Sequence, residues 1–135
     1  MAFKFNISQK GKTYKAESDS ESFLGKKIGD KFSGSEVSAD LTGYELEIKG
    51  TSDIAGFPGI QSQEGPNLRK VLFTKGKFLH KVKSKGVRMK KSVRGNEISE
   101  KTVQINCVVV KEGSKKFVYL FQIKEEKVEE APVAA

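Results

Sequence analysis

The segment that decides the fold is Val103-Gln104-Ile105-Asn106-Cys107-Val108-Val109. Its apolar residues alternate with the remaining positions, which is the spacing of a β-strand. β-branched residues are nearly continuous in it, as in strands that lie inside a sheet. We therefore predict a β-sheet protein in which this segment is a central strand.

Shorter segments elsewhere repeat the alternation of apolar and polar residues. The alternating apolar residues are Phe3, Phe5 and Ile7; Tyr14 and Ala16; Tyr44, Leu46 and Ile48; and Val71 and Phe73. A turn at residues 9–12 separates the first two of these segments, which together predict an N-terminal hairpin. Many short strands joined by glycine-containing turns predict an all-β fold, specifically a small β-barrel. For the apolar run at residues 117–123, a strand and a short helix both fit.

The length of 135 residues fits one domain, which we place at residues 1–123. Residues 124–135 are rich in Glu, Lys and Ala, and we predict a disordered acidic tail there. No apolar run approaches the ~20 residues of a membrane helix, and the N-terminus lacks the apolar stretch of a signal peptide. A single cysteine cannot form an internal disulfide. These features predict a cytoplasmic protein without a membrane partner.

The positive charge of the chain is concentrated in residues 65–96. This stretch has eleven Lys and Arg and no acidic residue, whereas the rest of the chain has 14 Lys and Arg against 17 Asp and Glu. A segment with so few counter-charges repels itself until a polyanion neutralises it. Clustered cations of this kind indicate a nucleic-acid-binding protein. The alternative is a solvated basic face without a partner.

Residues suited to catalysis or metal binding are scarce. His80 is the only histidine and Cys107 the only cysteine, so the usual zinc ligands cannot be assembled from them. We expect His80 to be a surface residue, although a phosphate contact is open to it. Cys107 is expected to be a buried structural thiol, because it lies within the predicted central strand. The sequence predicts no enzyme, no metal, no cofactor and no small-molecule substrate.

Two segments together resemble a known family. They are Ile48-Lys49-Gly50-Thr51-Ser52-Asp53-Ile54-Ala55-Gly56-Phe57-Pro58-Gly59 and Lys90-Lys91-Ser92-Val93-Arg94-Gly95-Asn96-Glu97-Ile98-Ser99. They resemble the S-six-e family of small-subunit ribosomal proteins, which archaea and eukaryotes share. The family pattern is Gly-Gly-x-Asp-x-x-Gly-Phe-Pro-Met, followed by a basic stretch that ends in Ser/Thr-Val-Arg-Gly. This chain departs from it at Thr51 and Gly59, and its short acidic end is similar to the archaeal form.

The resemblance implies a structural constituent of the small ribosomal subunit that binds small-subunit rRNA beside neighbouring ribosomal proteins. In the glycine-rich loop at residues 50–66, Phe57 is expected to stack on RNA or to pack on the barrel, and Asp53 to accept the loop's own amides. The extended basic segment at residues 83–95 is expected to follow the RNA backbone and to be ordered by it. The predicted RNA-binding residues are Lys26, Lys27, Gly56, Phe57, Pro58, Arg69, Lys70, Lys83, Lys85, Arg88, Lys90, Lys91 and Arg94.

The alternative function is a free-standing β-barrel that binds single-stranded nucleic acid. Such proteins stack bases on aromatic side chains carried by their strands. The basic segment offers only Phe73 and Phe78, and Phe73 alternates like a core residue. This scarcity of aromatic side chains favours the ribosomal hypothesis, and a basic nuclease is a more distant third because no metal-ligand cluster is visible.

Overall fold

A computed structural model describes residues 2–120, and these residues form mainly β-strands. The strands are β1 (Phe3–Gln9), β2 (Lys12–Ser18), β3 (Lys31–Ser33), β4 (Glu45–Asp53), β5 (Leu68–Phe73), β6 (Met89–Arg94) and β7 (Thr102–Lys111). Short 3-10 helices lie at Glu21–Phe23, Gly34–Glu36 and Ala39–Leu41, and residues 117–120 are helical. The predicted all-β class is confirmed. The predicted disordered tail at residues 124–135 lies outside the described residues.

Five of the strands form one sheet, in the order β2-β1-β7-β4-β3. β7 is the predicted central strand, and it pairs parallel to β1 and antiparallel to β4. The predicted N-terminal hairpin is also present as the antiparallel pair of β1 and β2. β5 and β6 pair with each other in a separate two-stranded sheet. We call residues 68–94, which comprise β5, β6 and their connection, the basic hairpin.

The predicted barrel is wrong, because the five-stranded sheet is open. Closure would require its two edge strands, β2 and β3, to pair with each other, and they do not. β3 has only three residues and passes directly into the 3-10 helix Gly34–Glu36, so it offers too short a ladder for a further strand. β5 and β6 pair with each other, so among residues 2–120 no further strand bridges the two edges.

One face of the sheet carries the hydrophobic core. Phe3, Phe5 and Ile7 of β1 point into it, with Phe23 and Phe32 packed over them. The ring centroids of Phe5 and Phe23 lie 4.8 Å apart, and those of Phe23 and Phe32 lie 5.2 Å apart. Burying each such side chain stabilises the fold by about 1.5–3 kcal/mol. Because one face is buried, a one-residue slip would expose a whole row of core residues, and the register is fixed.

Cys107 lies on this core face and is 1% exposed. Burial raises the pKa of its thiol to about 12. The thiolate, which is the nucleophilic form, is therefore almost absent at neutral pH. The predicted burial of this cysteine is confirmed.

Candidate nucleic-acid interface

The basic hairpin carries all eleven cations that the sequence concentrates in residues 65–96. Ten of them are exposed, and within residues 2–120 none of these ten forms a salt bridge. They are Arg69, Lys70, Lys75, Lys77, Lys81, Lys83, Lys85, Arg88, Lys90 and Lys91. The described carboxylates of the protein thus leave this charge unneutralised.

The predicted free extension at residues 83–95 is only partly free. Met89–Arg94 forms β6 and pairs along its length with β5, so half of the segment is a strand. Lys83, Lys85 and Arg88 lie in the exposed connection between the two strands, together with Lys75, Lys77 and Lys81. The last three lysines were not among the predicted contacts, although they lie in the same acid-free stretch and have the same exposure.

The cations of the two strands lie on both faces of the hairpin. Residues directly opposite each other in an antiparallel pair share a face. Leu72 is opposite Lys90 on one face, and Val71 is opposite Lys91 on the other. The hairpin therefore presents positive charge on both of its faces.

A short segment, Pro58–Ile60, joins the basic hairpin to the main sheet. The amide of Gly59 donates to the carbonyl of Thr51 in β4 at 3.0 Å, and the amide of Ile60 donates to the carbonyl of Arg94 at 3.0 Å. The amide of Arg94 donates in turn to the carbonyl of Pro58 at 2.9 Å. An isolated two-stranded hairpin is marginally stable in water, so these hydrogen bonds matter for its position.

An internal ion pair reinforces this junction. Nε and Nη2 of Arg94 each lie 2.9 Å from Oδ2 of Asp53, and Nη1 donates to the carbonyl of Pro66 at 3.0 Å. The side chains of Arg94 and Asp53 are only 12% and 2% exposed. Arg94, predicted from the sequence as an RNA contact, is therefore directed into the protein.

Asp53 also organises the loop that follows β4. Its Oδ1 accepts the amide of Phe57 at 2.8 Å, which confirms the predicted role of this carboxylate as a backbone acceptor. Gly56 has a φ of 88° in this turn, a left-handed conformation that favours glycine. Phe57 and Pro58 are half-buried where the loop meets the basic hairpin.

The two departures from the family pattern contact each other. A Cβ atom on Gly59 would lie 2.1 Å from Oγ1 of Thr51, a distance that real atoms do not adopt. Thr51 therefore occupies the space that a side chain at position 59 would need. Gly95 is constrained in a similar way, because its Cβ would lie 1.7 Å from the carbonyl oxygen of Gly65.

The two remaining predicted cations lie before β3. Lys26 forms a salt bridge of 2.8 Å with Glu36, and its Nζ lies over the rings of Phe23 and Phe32 at 4.8 and 5.0 Å. Lys27 is exposed, and its backbone bridges to Glu97, just beyond β6. Lys26 is thus held by the protein itself, whereas Lys27 is available to a partner.

Between residues 2 and 120, no three His, Cys, Asp or Glu side chains converge as metal ligands would. None of the helices described there is long and apolar enough to cross a membrane.

Comparison with known proteins identifies relatives over most of the chain. The family model described as "Ribosomal protein S6e" matches residues 3–122. The chain is 45% identical over 116 residues to small ribosomal subunit protein eS6 of Methanococcus maripaludis strain C7, covering 84% of this chain and 91% of the relative. It is 40% identical over 131 residues to the protein of the same name from Methanobrevibacter smithii, covering 96% of this chain and the whole relative.

A third relative with this name, from Methanoculleus marisnigri, is 38% identical over 128 residues, covering 91% of this chain and 95% of the relative. These matches confirm the resemblance seen in the two sequence segments. The matched family is one of ribosomal proteins, which also confirms that the chain is a ribosomal protein and not an enzyme. The chain belongs to the ribosomal protein S6e family.

Proposed function

We propose that this protein is a structural constituent of the small ribosomal subunit that binds small-subunit rRNA through the basic hairpin and the adjoining Gly56-Phe57-Pro58 loop. The observation that carries the proposal is the set of ten exposed hairpin cations that form no salt bridge within residues 2–120. The relatives named small ribosomal subunit protein eS6 support the same partner class. A protein with this role is located in the cytoplasm, on the ribosome, and lies beside other ribosomal proteins.

The chemistry of binding is neutralisation of phosphate charge. Each Lys or Arg placed against a phosphate releases condensed counterions, and this release supplies affinity without any reading of sequence. Arg69 and Arg88 can in addition hold a phosphate through two parallel hydrogen bonds, because the guanidinium is planar. The protein then stabilises folded RNA by shape and charge.

The predicted RNA-binding residues separate into two groups on this basis. Lys26 and Arg94 hold the protein's own structure through salt bridges with Glu36 and Asp53. The proposed contacts are the exposed cations, together with Phe57 and Pro58. They are Lys27, Arg69, Lys70, Lys83, Lys85, Arg88, Lys90 and Lys91, with Lys75, Lys77 and Lys81 added.

The proposal is tested by the salt dependence of binding to small-subunit rRNA. We expect the doubly substituted variant K90A/K91A to lower the slope of log affinity against log salt by about 1.4 to 1.8, because two phosphate contacts are lost. The matched control is K4A/K12A, which removes two exposed cations from β1 and β2 of the main sheet. Its slope should remain close to that of the wild type.

Equal loss in both variants would contradict the proposal, because charge alone would then matter and not the hairpin. Sedimentation separates it from the alternative of a free-standing single-strand binder. A constituent of the subunit remains with the small subunit through high-salt gradients, whereas loss on mild washing would favour the free binder.

A further inference from the structure

A cavity lies where the basic hairpin meets the loop after β4. Its volume is about 350 Å³, and the residues around it include Phe57, Pro58, Phe73, Phe78, Lys91 and Ser92. Val93 also lines it and is only 1% exposed, so it forms the closed end. Cavities of roughly 300 to 1,000 Å³ are typical of small-molecule and cofactor sites. The size therefore suits one small group and not a helix or a strand.

Three of the residues that line the cavity, Phe57, Phe73 and Phe78, are aromatic. The ring centroids of Phe73 and Phe78 lie 5.4 Å apart with an angle of 30° between the planes, which is a stacked arrangement. Both rings are half-buried and neither belongs to the core cluster. The interpretation of Phe73 as a core residue is therefore wrong, because its strand lies in a two-stranded sheet apart from the main sheet. Its ring remains partly available to a partner.

A closed turn holds Phe78 in place. The amide of Gly76 donates to the carbonyl of Leu79 at 2.9 Å, and the amide of Leu79 donates to the carbonyl of Gly76 at 3.2 Å. Leu79 is 3% exposed and anchors the turn. Lys77, at the tip of the turn, has its Nζ 5.8 Å from the centroid of the Phe78 ring. The aromatic ring is thus presented together with a cation.

We propose that this cavity receives one unpaired base of the bound RNA. The inference rests on the proposed function, because it supplies a site for a base on the surface assigned to phosphates. Unpaired RNA bases are bound by stacking on aromatic side chains, and their phosphates need cations nearby. Lys91 lines the cavity, and none of the lining residues between positions 2 and 120 is acidic. Lys91 shares the face of the hairpin on which Phe73 lies, because it is opposite Val71.

Charge distinguishes this occupant from a protein side chain. An apolar side chain of a neighbouring protein would gain nothing from the surrounding exposed cations, whereas each nucleotide brings one negative charge beside its base. The stacked rings and the unneutralised lysines therefore fit the same ligand. A neighbouring protein remains an outcome of the test.

The first experiment uses a tryptophan as the reporter. The chain contains no tryptophan, so F78W introduces a single one into the cavity wall. We expect an oligoadenylate of about twelve nucleotides to quench its fluorescence, while an oligomer of abasic spacers with the same backbone charge does not. If both oligomers quench the fluorescence equally, the inference is overturned. It is also overturned if both oligomers bind and neither quenches the fluorescence.

The second experiment compares affinities for the same two oligomers. The wild type should bind oligoadenylate about tenfold more tightly than the abasic oligomer, and F73L/F78L should bind the two alike with its abasic affinity unchanged. L72A is the matched control, since Leu72 is 53% exposed on the opposite face of β5, and it should retain the preference. Circular dichroism verifies that each variant is folded.

The outcomes separate this inference from the proposed function. If the wild type binds both oligomers equally, the base site is refuted while phosphate binding stands. If it binds neither oligomer nor rRNA at low salt, the proposed function itself fails. If F73L/F78L keeps its RNA preference but no longer enters small subunits, the cavity receives a neighbouring protein and the inference is wrong.

Discussion

Replacing Arg94 with alanine removes the side chain that fastens the basic hairpin to the main sheet. Its guanidinium makes two contacts of 2.9 Å with Oδ2 of Asp53 and donates to the carbonyl of Pro66 at 3.0 Å. The Asp53 side chain is 2% exposed, so R94A leaves a buried carboxylate to which, within residues 2–120, the amide of Phe57 still donates. We expect the variant to be destabilised before its RNA binding is considered.

The size of the effect follows from the burial of the pair. Removing one partner of a buried ion pair costs about 3–5 kcal/mol, because the other charge is left uncompensated. Arg94 is 12% exposed, so water can partly replace it, and we expect the lower end, about 3 kcal/mol. The whole free energy of unfolding of such a domain is roughly 5–15 kcal/mol. R94K keeps the positive charge but loses the planar guanidinium with its several N–H donors, and should lower the free energy of unfolding by about 1.5 kcal/mol.

Urea unfolding followed by circular dichroism measures these losses. K90A is the control, because Lys90 is exposed and makes no salt bridge within residues 2–120, and it should change the free energy of unfolding by less than about 0.5 kcal/mol. In a D53A background, R94A should cost only about 1 kcal/mol, since the orphaned carboxylate is gone. If R94A has the same free energy of unfolding as K90A and loses as much RNA affinity as K90A does, Arg94 is an RNA contact and does not hold the hairpin.

Two further predictions concern the main sheet. G59A should lower the free energy of unfolding by about 1–3 kcal/mol, because the added methyl group is overpacked against Thr51. Adding T51G should restore much of that loss. If the two substitutions have additive effects in urea unfolding, the two positions are independent and the explanation is wrong. The pKa of Cys107 is raised from 9.0 to about 12, so its contribution to stability is fully present below pH 9 and falls as the pH rises toward 12. C107A should weaken this alkaline dependence, and the native thiol should not react with a disulfide reagent at pH 8; rapid reaction without unfolding would contradict its burial.

The strands could be predicted because their signal is local. Alternation at residues 3–7, 14–16 and 44–48 reports which side chains face the core, and β-branched residues identified β7 as central. Barrel closure could not be predicted in this way, since it depends on whether two edges distant in sequence meet. The three residues of β3 and the self-pairing of β5 with β6 decide that question, and neither is visible as a pattern.

The charged surface was also foreseeable, because an acid-free stretch has no local counter-charges. What could not be foreseen is which member of the stretch faces inward. Arg94 and Lys90 are both cations of the same acid-free stretch. Only the position of Asp53, which is distant in sequence, shows that Arg94 is directed into the protein. Phe73 was misjudged for a related reason, since alternation identifies one face of a strand without telling whether anything covers that face.

Both segments that carry the family resemblance contain residues that hold the junction between the basic hairpin and the main sheet. Asp53 pairs with Arg94, Gly59 makes room for Thr51, and Gly95 for the backbone at Gly65. These contacts fix where the basic hairpin leaves the main sheet. Phosphate binding by exposed lysines depends more on how many there are, and on the electrostatic field that they create together, than on which individual lysine is present. It follows that exchanging single lysines within residues 75–91 should alter RNA binding gradually, whereas changes at the junction should remove the surface as a unit.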